Sequence, residues 1–447
     1  MKILNIKIKK LFELFDYNIP LYNSENLQII TGPNGFGKTM ILNIIYSLFN
    51  KRFFFFYKLI FKEITLTLED GIEIIINRQS SGLKQPKILF SFFINKQQVD
   101  EIKYDTNKIL NQIENYLPHL RRYDTERWID RKSDRLFTID DIESYQNSFL
   151  NDNYDIHFSQ RSLFEDDSDL KIKNPVIIGA FDSLKVHIIK EQRLFRKVQM
   201  DRRGASSSER NNSYMTDTIR EYAKELSQSI FDTLRSSLQI SQDLDSSFPK
   251  RLLNETGKLS VEDFNERFSI LKNLQSKLRK YGLSESEQEV PIFDQENAKV
   301  LLVYLNDTEK KLGVFDGLLS RLELFANILN ERRFTYKSIK IDKEKGFVFL
   351  TEKGIELNLT DLSSGEQHEV VLLYELIFNA KQNTLVLIDE PEISLHITWQ
   401  KEFLDDLLRI IGLQKMQVIV ATHSPQIING RWDLVYNLDK RTVDATN

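Results

Sequence analysis

Gly32-Pro33-Asn34-Gly35-Phe36-Gly37-Lys38-Thr39 is a complete G-x-x-x-x-G-K-[ST] pattern. Before it, Leu27–Thr31 (LQIIT) reads as a buried strand; after it, residues 40–49 (MILNIIYSLF) read as an apolar helix. A phosphate-binding loop requires this strand–loop–helix context. Glycines let the backbone close around phosphate oxygens, and the following helix aims its N–H groups and positive dipole end at them. Asn34, Gly35 and Gly37 would line the phosphates, Lys38 would neutralise the β and γ groups, and Thr39 would offer its hydroxyl to Mg2+. The stretch predicts a bound nucleoside triphosphate.

A second run, residues 385–390 (LVLIDE), is four apolar residues ending in two carboxylates. A strand buried on both faces would deliver Asp389 at its C-terminal end, where open α/β sheets bind ligands. Asp389 suits Mg2+, and Glu390 suits a general base that polarises the attacking water. Residues 419–425 (IVATHSP) likewise deliver His423 at the end of a strand, as a polar contact to the γ-phosphate and the water. Gln192, just after a strand at 184–189, is the expected metal- and water-orienting glutamine. In residues 362–367 (LSSGEQ), Ser363 with Glu366 and Ser364 with Gln367 both fit a capping box opening a helix. That helix end, with Ser363, Ser364, Gly365 and Gln367, is also suited to an anionic phosphate.

The rest of the chain bounds these readings. Its 447 residues, 41% hydrophobic and 28% charged, have the composition of a soluble globular protein. Without cysteine, disulfides and thiolate metal sites are excluded, and a reducing cytoplasm is expected. The apolar run at 52–61 is interrupted by Lys58 and too short to span a bilayer, so no membrane association is expected. A net charge of −4 confines any nucleic-acid surface to a local patch. Short β-like runs fill residues 1–100, including 3–8, 64–68, 72–77 and 88–94, with Glu69-Asp70-Gly71 as a hairpin turn. Residues 101–175 read as a polar insert of helices and loops, and 202–213 as a mobile loop. Helical spacing dominates 214–335, read as three long helices, the third over 300–329. The last segment, 336–447, returns to α/β with a hairpin, two strands and two helices.

GPNGFGKT, LSSGEQ, LVLIDEPE, Ser394-Leu395-His396 and ATHSP, in this order, resemble the ABC-type ATPases of the SMC and RecF kind. The C-terminal third is most similar to the AAA-type ATPases of bacterial antiphage operons, such as the ATPase subunit of PARIS systems. The resemblance implies an α/β ATPase head split by a helical insertion, with boundaries at 1–195, 196–335 and 336–447. It implies ATP and Mg2+ as ligands. It also implies a homo-oligomer of at least two copies, in which Ser363 and Gly365 of one copy cap the γ-phosphate held at Lys38 of another.

The function expected on this basis is an oligomeric ATP-hydrolysing switch in antiphage defence, which senses a phage component and releases an effector encoded nearby. Little chain follows His423, so a Toprim-type nuclease would be a separate protein. Asp167-x-Asp169 reads as a solvated acidic loop rather than a metal pair. The alternative is a DNA-repair or replication ATPase that clamps DNA. Basic residues Arg121, Arg122, Arg127, Arg131, Lys132 and Arg135 would then meet phosphates, as would Arg193, Arg196, Lys197, Arg202 and Arg203. Interleaved Asp124, Glu126, Asp130 and Asp134 make the first cluster read instead as a salt-bridged helix face. A nucleotide-binding subunit of a membrane transporter is disfavoured by the helical insert.

Overall fold

Leu27–Thr31 (β3) is buried along nearly its whole length, with both faces covered. In a computed structural model of the chain it lies within a five-stranded parallel sheet. The order is Val186–Ile189 (β11), Leu385–Asp389 (β17), Gln417–Thr422 (β18), β3 and Val435–Asn437 (β19). Leu385, Leu387, Ile419, Ala421 and Ile30 pack into one core. Val386, Ile388, Val418, Val420, Leu27 and Ile29 pack into the other. Such two-sided burial is why these strands read as continuous hydrophobic runs. The structure describes residues 1–79, 86–104, 113, 117, 119–124, 127–131, 134, 136–138, 142, 172–190, 195–198, 214–284, 292–334, 336–380 and 382–439.

The first core is closed by a six-stranded antiparallel sheet. Its order is Phe15–Pro20 (β2), Ile3–Leu11 (β1), Glu63–Leu68 (β4), Ile72–Gln79 (β5), Lys87–Ile94 (β6) and Gln97–Tyr104 (β7). Helix α1 (Lys38–Phe49) is packed within this core. The apolar run at 52–61 folds as a short helix, α2 (Phe54–Lys58), and fills the same core. The ring centroid of Phe53 lies 4.8 Å from that of Phe90. No helix among the described residues is long and apolar enough to cross a membrane. The turn Glu69–Gly71 forms as expected, with Asp70 and Gly71 at φ of 60° and 69°.

Gln417, at the start of β18, locks that strand to the N-terminal sheet. Its amide donates to the carbonyls of Ile3 and Leu21 at 2.9 and 2.7 Å, and its oxygen accepts from Ile3 N–H at 3.1 Å. Gln28 is similarly used, donating at 2.8 Å to the carbonyl of Leu434. Buried glutamines of this kind satisfy strand-end groups that would otherwise be orphaned, which ties the two ends of the sequence into one α/β unit.

The polar region after β7 differs from expectation. Leu120–Arg122 (β8), Arg127–Asp130 (β9) and Leu136–Thr138 (β10) form a three-stranded antiparallel sheet rather than a helix face. Trp128 is fully buried while its neighbour Arg127 points outward, a period of two obscured in the sequence by the density of charge. The predicted charge pairing does occur, between Arg127 and Asp124 at 2.6 Å. Helix α3 (Pro175–Ser183) then leads into β11, and Phe195–Val198 (β12) pairs with Tyr214–Asp217 (β13). The expected acidic loop at Asp167-x-Asp169 and the loop at 202–213 lie outside the described residues.

Between β13 and the hairpin Lys337–Asp342 (β14) and Gly346–Thr351 (β15) stand α4 (Thr218–Asn254), α5 (Val261–Lys280), α6 (Ala298–Gly313) and α7 (Asp316–Ile328). The run at 300–329 is thus two helices, not one. At the break Phe315 N–H bonds back to Leu312, and Gly313 and Gly317 flank the tightened turn. Phe315 is buried there. The near halves of these helices join the second core, whereas Phe264, Phe268, Leu271, Leu301 and Leu305 make a separate core at the far end. Arg251 pairs with Asp307 and Arg267 with Glu309, fastening α4 and α5 onto α6.

Glu356–Leu357 (β16) completes the small sheet with β14 and β15. α4 meets this sheet at Gly346, where φ is +76° and an added Cβ would lie 1.8 Å from the carbonyl oxygen of Ala223. Ser227 Oγ also donates to the carbonyls of Lys343 and Glu344, at 2.9 and 2.8 Å. Gly346→Ala is therefore expected to push α4 off the hairpin and cost at least ~2 kcal/mol from overpacking and backbone strain. Thermal melts would show a lowered midpoint; an unchanged midpoint would contradict this close approach.

Candidate nucleotide site

The phosphate-binding loop leaves β3 at its C-terminal end and enters α1 through Gly37, at φ of 86°. No side chain caps the start of α1, so its first N–H groups face the cradle of the loop. Asn34 and Gly35 lie exposed on the crest, and Gly35 has a φ of 88°. Lys38 is buried, and its ammonium donates to the carbonyls of Gly32 and Pro33 at 2.9 and 3.4 Å. Among the described residues no carboxylate pairs with it. A buried cation held by its own loop's carbonyls, beside uncapped N–H groups, is matched to a polyphosphate.

Parallel register brings the other groups to the same edge. Asp389 is level with Ala421 of β18, and Thr422 is level with Thr31 of β3. Thr39 Oγ1 donates to Asp389 Oδ1 at 3.1 Å, across 350 residues of sequence. Both oxygens suit Mg2+, and their spacing lets one cation be shared between them with phosphate and water completing its shell. The donor set therefore fits the ion. Among the described residues no cluster of three or more His, Asp or Glu offers a different metal site.

Glu390 follows with φ 43° and ψ 59°, a left-handed conformation that costs free energy for a non-glycine residue and is concentrated at working sites. Its N–H bonds to Ala421 at 2.8 Å, which fixes the turn. His423 lies close, with Nδ1 3.7 Å from Glu390 Oε1 and 3.1 Å from Glu392 Oε1. Gln192 lies outside the described residues; the strand before it, β11, ends with Ile189 level with Ile388.

Two features of this edge were not anticipated. Tyr17 of β2 donates to the Phe36 carbonyl at 2.8 Å, bracing the loop from outside. Burial, with a smaller contribution from Tyr436, pushes the Tyr17 phenol up to about 12, so the hydroxyl remains a donor well into the alkaline range. Phe36 also packs on Phe15, with ring centroids 5.3 Å apart. Alternation in FDYNIP was the available signal for β2. The second feature is Glu392, the last residue of LVLIDEPE, to which the motif reading gave no role.

The LSSGEQ segment sits apart. Helix α8 (Ser364–Tyr374) has Ser363 as N-cap, and the capping box with Glu366 forms: Ser363 accepts from Glu366 N–H at 3.3 Å and donates its N–H to Glu366 at 2.8 Å. Burial raises the Glu366 carboxyl, but Lys337 and the Ser363 donors outweigh it and hold the group below its ordinary range. Gln367 does not form the second box. Its amide instead donates to the carbonyls of Thr360 and Leu362 at 3.2 and 2.8 Å, holding the preceding turn closed. Ser363 and Ser364 are exposed, and no hydrogen bond among the described residues joins them to the phosphate-binding loop.

Behind α8 the helix continues as a π turn, Glu375–Asn379. Glu375 there accepts from Tyr222 of α4 and lies 2.8 Å from His187 Nε2 of β11. Tyr222 stacks on Tyr374 at 4.4 Å. One buried carboxylate thus joins the strand leading toward Gln192, the helical region and the end of α8. After β17, a 3-10 turn (Pro391–Ser394) leads to α9 (Ile397–Gln414), which is capped by His396.

These features define an ATPase domain. Residues 1–428 match the AAA ATPase domain family, and the chain belongs to it. Over 121 residues it is 32% identical to Protein ea59 of Escherichia phage lambda, covering 27% of this chain and 23% of that protein. The chain thus matches less than a quarter of that relative's length. Among solved structures it is similar to the Smc head domain with an extended coiled coil, bound to the C-terminal domain of ScpA, from Pyrococcus furiosus (15% identity, 95% and 90% of the two chains, TM-score 0.33). Another is the SMC head domain from Thermotoga maritima (12% identity, 98% and 94%, TM-score 0.30).

Tyr17→Phe should weaken ATP binding by about threefold, the value of one lost neutral hydrogen bond. Calorimetric titration checks it; an unchanged affinity would mean that the loop does not depend on this brace.

Proposed function

We propose that the chain is an ATP-hydrolysing switch of the SMC and RecF kind whose active site is completed by a second copy of itself. One observation carries this reading. Lys38, Thr39, Asp389, Glu390 and His423 gather at one edge, while Ser363 and Ser364 at the capped helix end are exposed and, among the described residues, have no hydrogen bond to that edge. A helix end that presents hydroxyls and N–H groups to solvent is suited to an anion brought by another chain.

In this mechanism Lys38 and the loop N–H groups bind the β- and γ-phosphates of ATP. Thr39 and Asp389, with Gln192, hold Mg2+, which when bound offsets charge on the phosphate oxygens. Glu390 takes the proton of the attacking water, and its carboxylate lies 3.7 Å from His423 Nδ1. His423 contacts the γ-phosphate and the water. Ser363, Ser364 and Gly365 of the partner copy close the site. The Glu375 bracket joins β11 to Tyr222 of α4, which supports transmission of the nucleotide state into the helical insertion.

The biological role we assign is antiphage defence, as in the PARIS ATPase subunit. ATP-dependent assembly restrains a separate effector, a Toprim-type nuclease encoded nearby, until a phage component releases it. The likeness of LSSGEQ, LVLIDEPE and ATHSP to ATPases of antiphage operons supports this role. The basic cluster supports DNA clamping less well, because Arg127 is paired with Asp124 and Arg122 donates to the Asp124 carbonyl at 3.1 Å.

Glu390→Gln tests the catalytic assignment. It should leave ATP binding intact, lower turnover by at least ~100-fold as expected for loss of a general base, and trap an ATP-bound oligomer. Size-exclusion chromatography and phosphate release report the two effects. Unchanged turnover would remove Glu390 as the base.

A further inference from the structure

Glu392 stands two residues beyond the proposed base and is not explained by phosphate or cation binding. It opens the 3-10 turn after β17, yet its side chain reaches across to the end of β18. One oxygen, Oε1, accepts from Thr422 Oγ1 at 2.7 Å and from the His423 N–H at 2.8 Å. The same oxygen lies 3.1 Å from His423 Nδ1. The other oxygen, Oε2, is buried without a hydrogen-bond partner among the described residues. Around it the fold is fully engaged. Thr422 Oγ1 accepts from Ser424 N–H, Ser424 Oγ donates to Gln400, and Gln400 donates to the backbone carbonyls of Glu392 and Leu395.

A buried carboxylate with one idle oxygen is costly if its task is only to tie two loops together. A glutamine could bond the same Thr422 hydroxyl and His423 N–H without burying charge. What the charge adds is its effect on the imidazole. Nδ1 of His423 faces two carboxylates, Glu392 at 3.1 Å and Glu390 at 3.7 Å. A lone pair on Nδ1 would oppose both, so the proton belongs on Nδ1. The His423 side chain remains 48% exposed, which leaves Nε2 on the open side of the ring.

We infer that Glu392 is a positioning residue that fixes the Nδ1–H form of His423 and turns Nε2 toward the γ-phosphate and attacking water. This rests on the nucleotide-site reading above. When the ring is neutral, Nε2 presents a lone pair to the water; when it is charged, Nε2 donates to phosphate. In both states the Nδ1 proton stays on the Glu392 side. A partner that orients a histidine through its remote nitrogen is a recurrent arrangement in hydrolytic and metal sites. Because the Glu392 backbone is also held by Gln400 of α9, the ring position is coupled to the segment containing Ser394, Leu395 and His396.

The test uses the full chain labelled with 15N-histidine. The sequence has six histidines, so the His423 signal is assigned by its loss in His423→Gln. Wild type should show His423 as Nδ1–H at neutral pH. Glu392→Ala should convert it to a mixture containing Nε2–H. It should lower kcat at least ~10-fold, the scale on which orienting partners act, with ATP affinity within about twofold of wild type. Glu392→Gln keeps the volume and an acceptor oxygen and serves where the alanine variant does not fold. It keeps both hydrogen bonds but removes the charge, so it should also bring Nε2–H into the mixture, with kcat lowered less than in the alanine variant. An unchanged tautomer in the alanine variant, or affinity and melting temperature falling together with kcat intact, would overturn the assignment. If wild type itself fails to hydrolyse ATP, the nucleotide reading fails, whereas the tautomer comparison still decides whether Glu392 controls His423.

Discussion

The parallel pairing of β17 with β18, and of β18 with β3, is the constraint on which the site depends. It sets Asp389 level with Ala421 and Thr422 level with Thr31, so three segments far apart in sequence end along one edge. The hydrogen bond from Thr39 to Asp389 records the result. A one-residue slip of β17 would exchange its two buried faces and withdraw Asp389 from Thr39. Both faces are packed, Leu385 and Leu387 on one side and Val386 and Ile388 on the other, so the register is held by the hydrophobic cores. Site geometry and core packing are here one property.

Around this edge, stiffness is built in from several directions. Tyr17 braces the loop carbonyl at Phe36, and Glu392 joins the turn after β17 to the end of β18. The left-handed Glu390 is tolerated because these contacts over-determine its surroundings. By contrast, the capped start of α8 is held by its own box and by Lys337 of β14, and its two serines are exposed. The bracket of His187, Glu375 and Tyr222 lies between the two and reaches into α4. This arrangement suits a switch in which closing a shared nucleotide site is felt by the helical region.

Much of this was legible in the sequence where local chemistry and period agree. LQIIT, LVLID and QVIVAT carry apolar residues on both faces and read as strands, which the structure pairs in parallel. The phosphate-binding loop and the Ser363–Glu366 capping box are likewise local patterns that specify their own geometry. The failures have a common cause, competition from tertiary context. β8 to β10 were masked by dense charge around the buried Leu120 and Trp128. The break at Phe315 was invisible because its apolar period continues through the turn. Gln367 fits a capping box by spacing, yet its amide serves nearby carbonyls instead. Glu392 stood in LVLIDEPE, but its role could not be read, because its partners Thr422 and His423 come from another segment.

The central claim is that one chain carries two halves of two different sites. Mixing two inactive variants tests it most directly. Lys38→Ala removes the phosphate-binding half, and Ser363→Arg blocks the capping half, so each homo-oligomer should be inactive. A co-expressed mixture contains assemblies in which the intact loop of one chain meets the intact helix end of the other. The account predicts that ATP hydrolysis returns in that mixture, in proportion to the hetero-oligomer formed. A mixture that stays inactive although hetero-oligomers form, or a Ser363→Arg variant that is fully active alone, would contradict it.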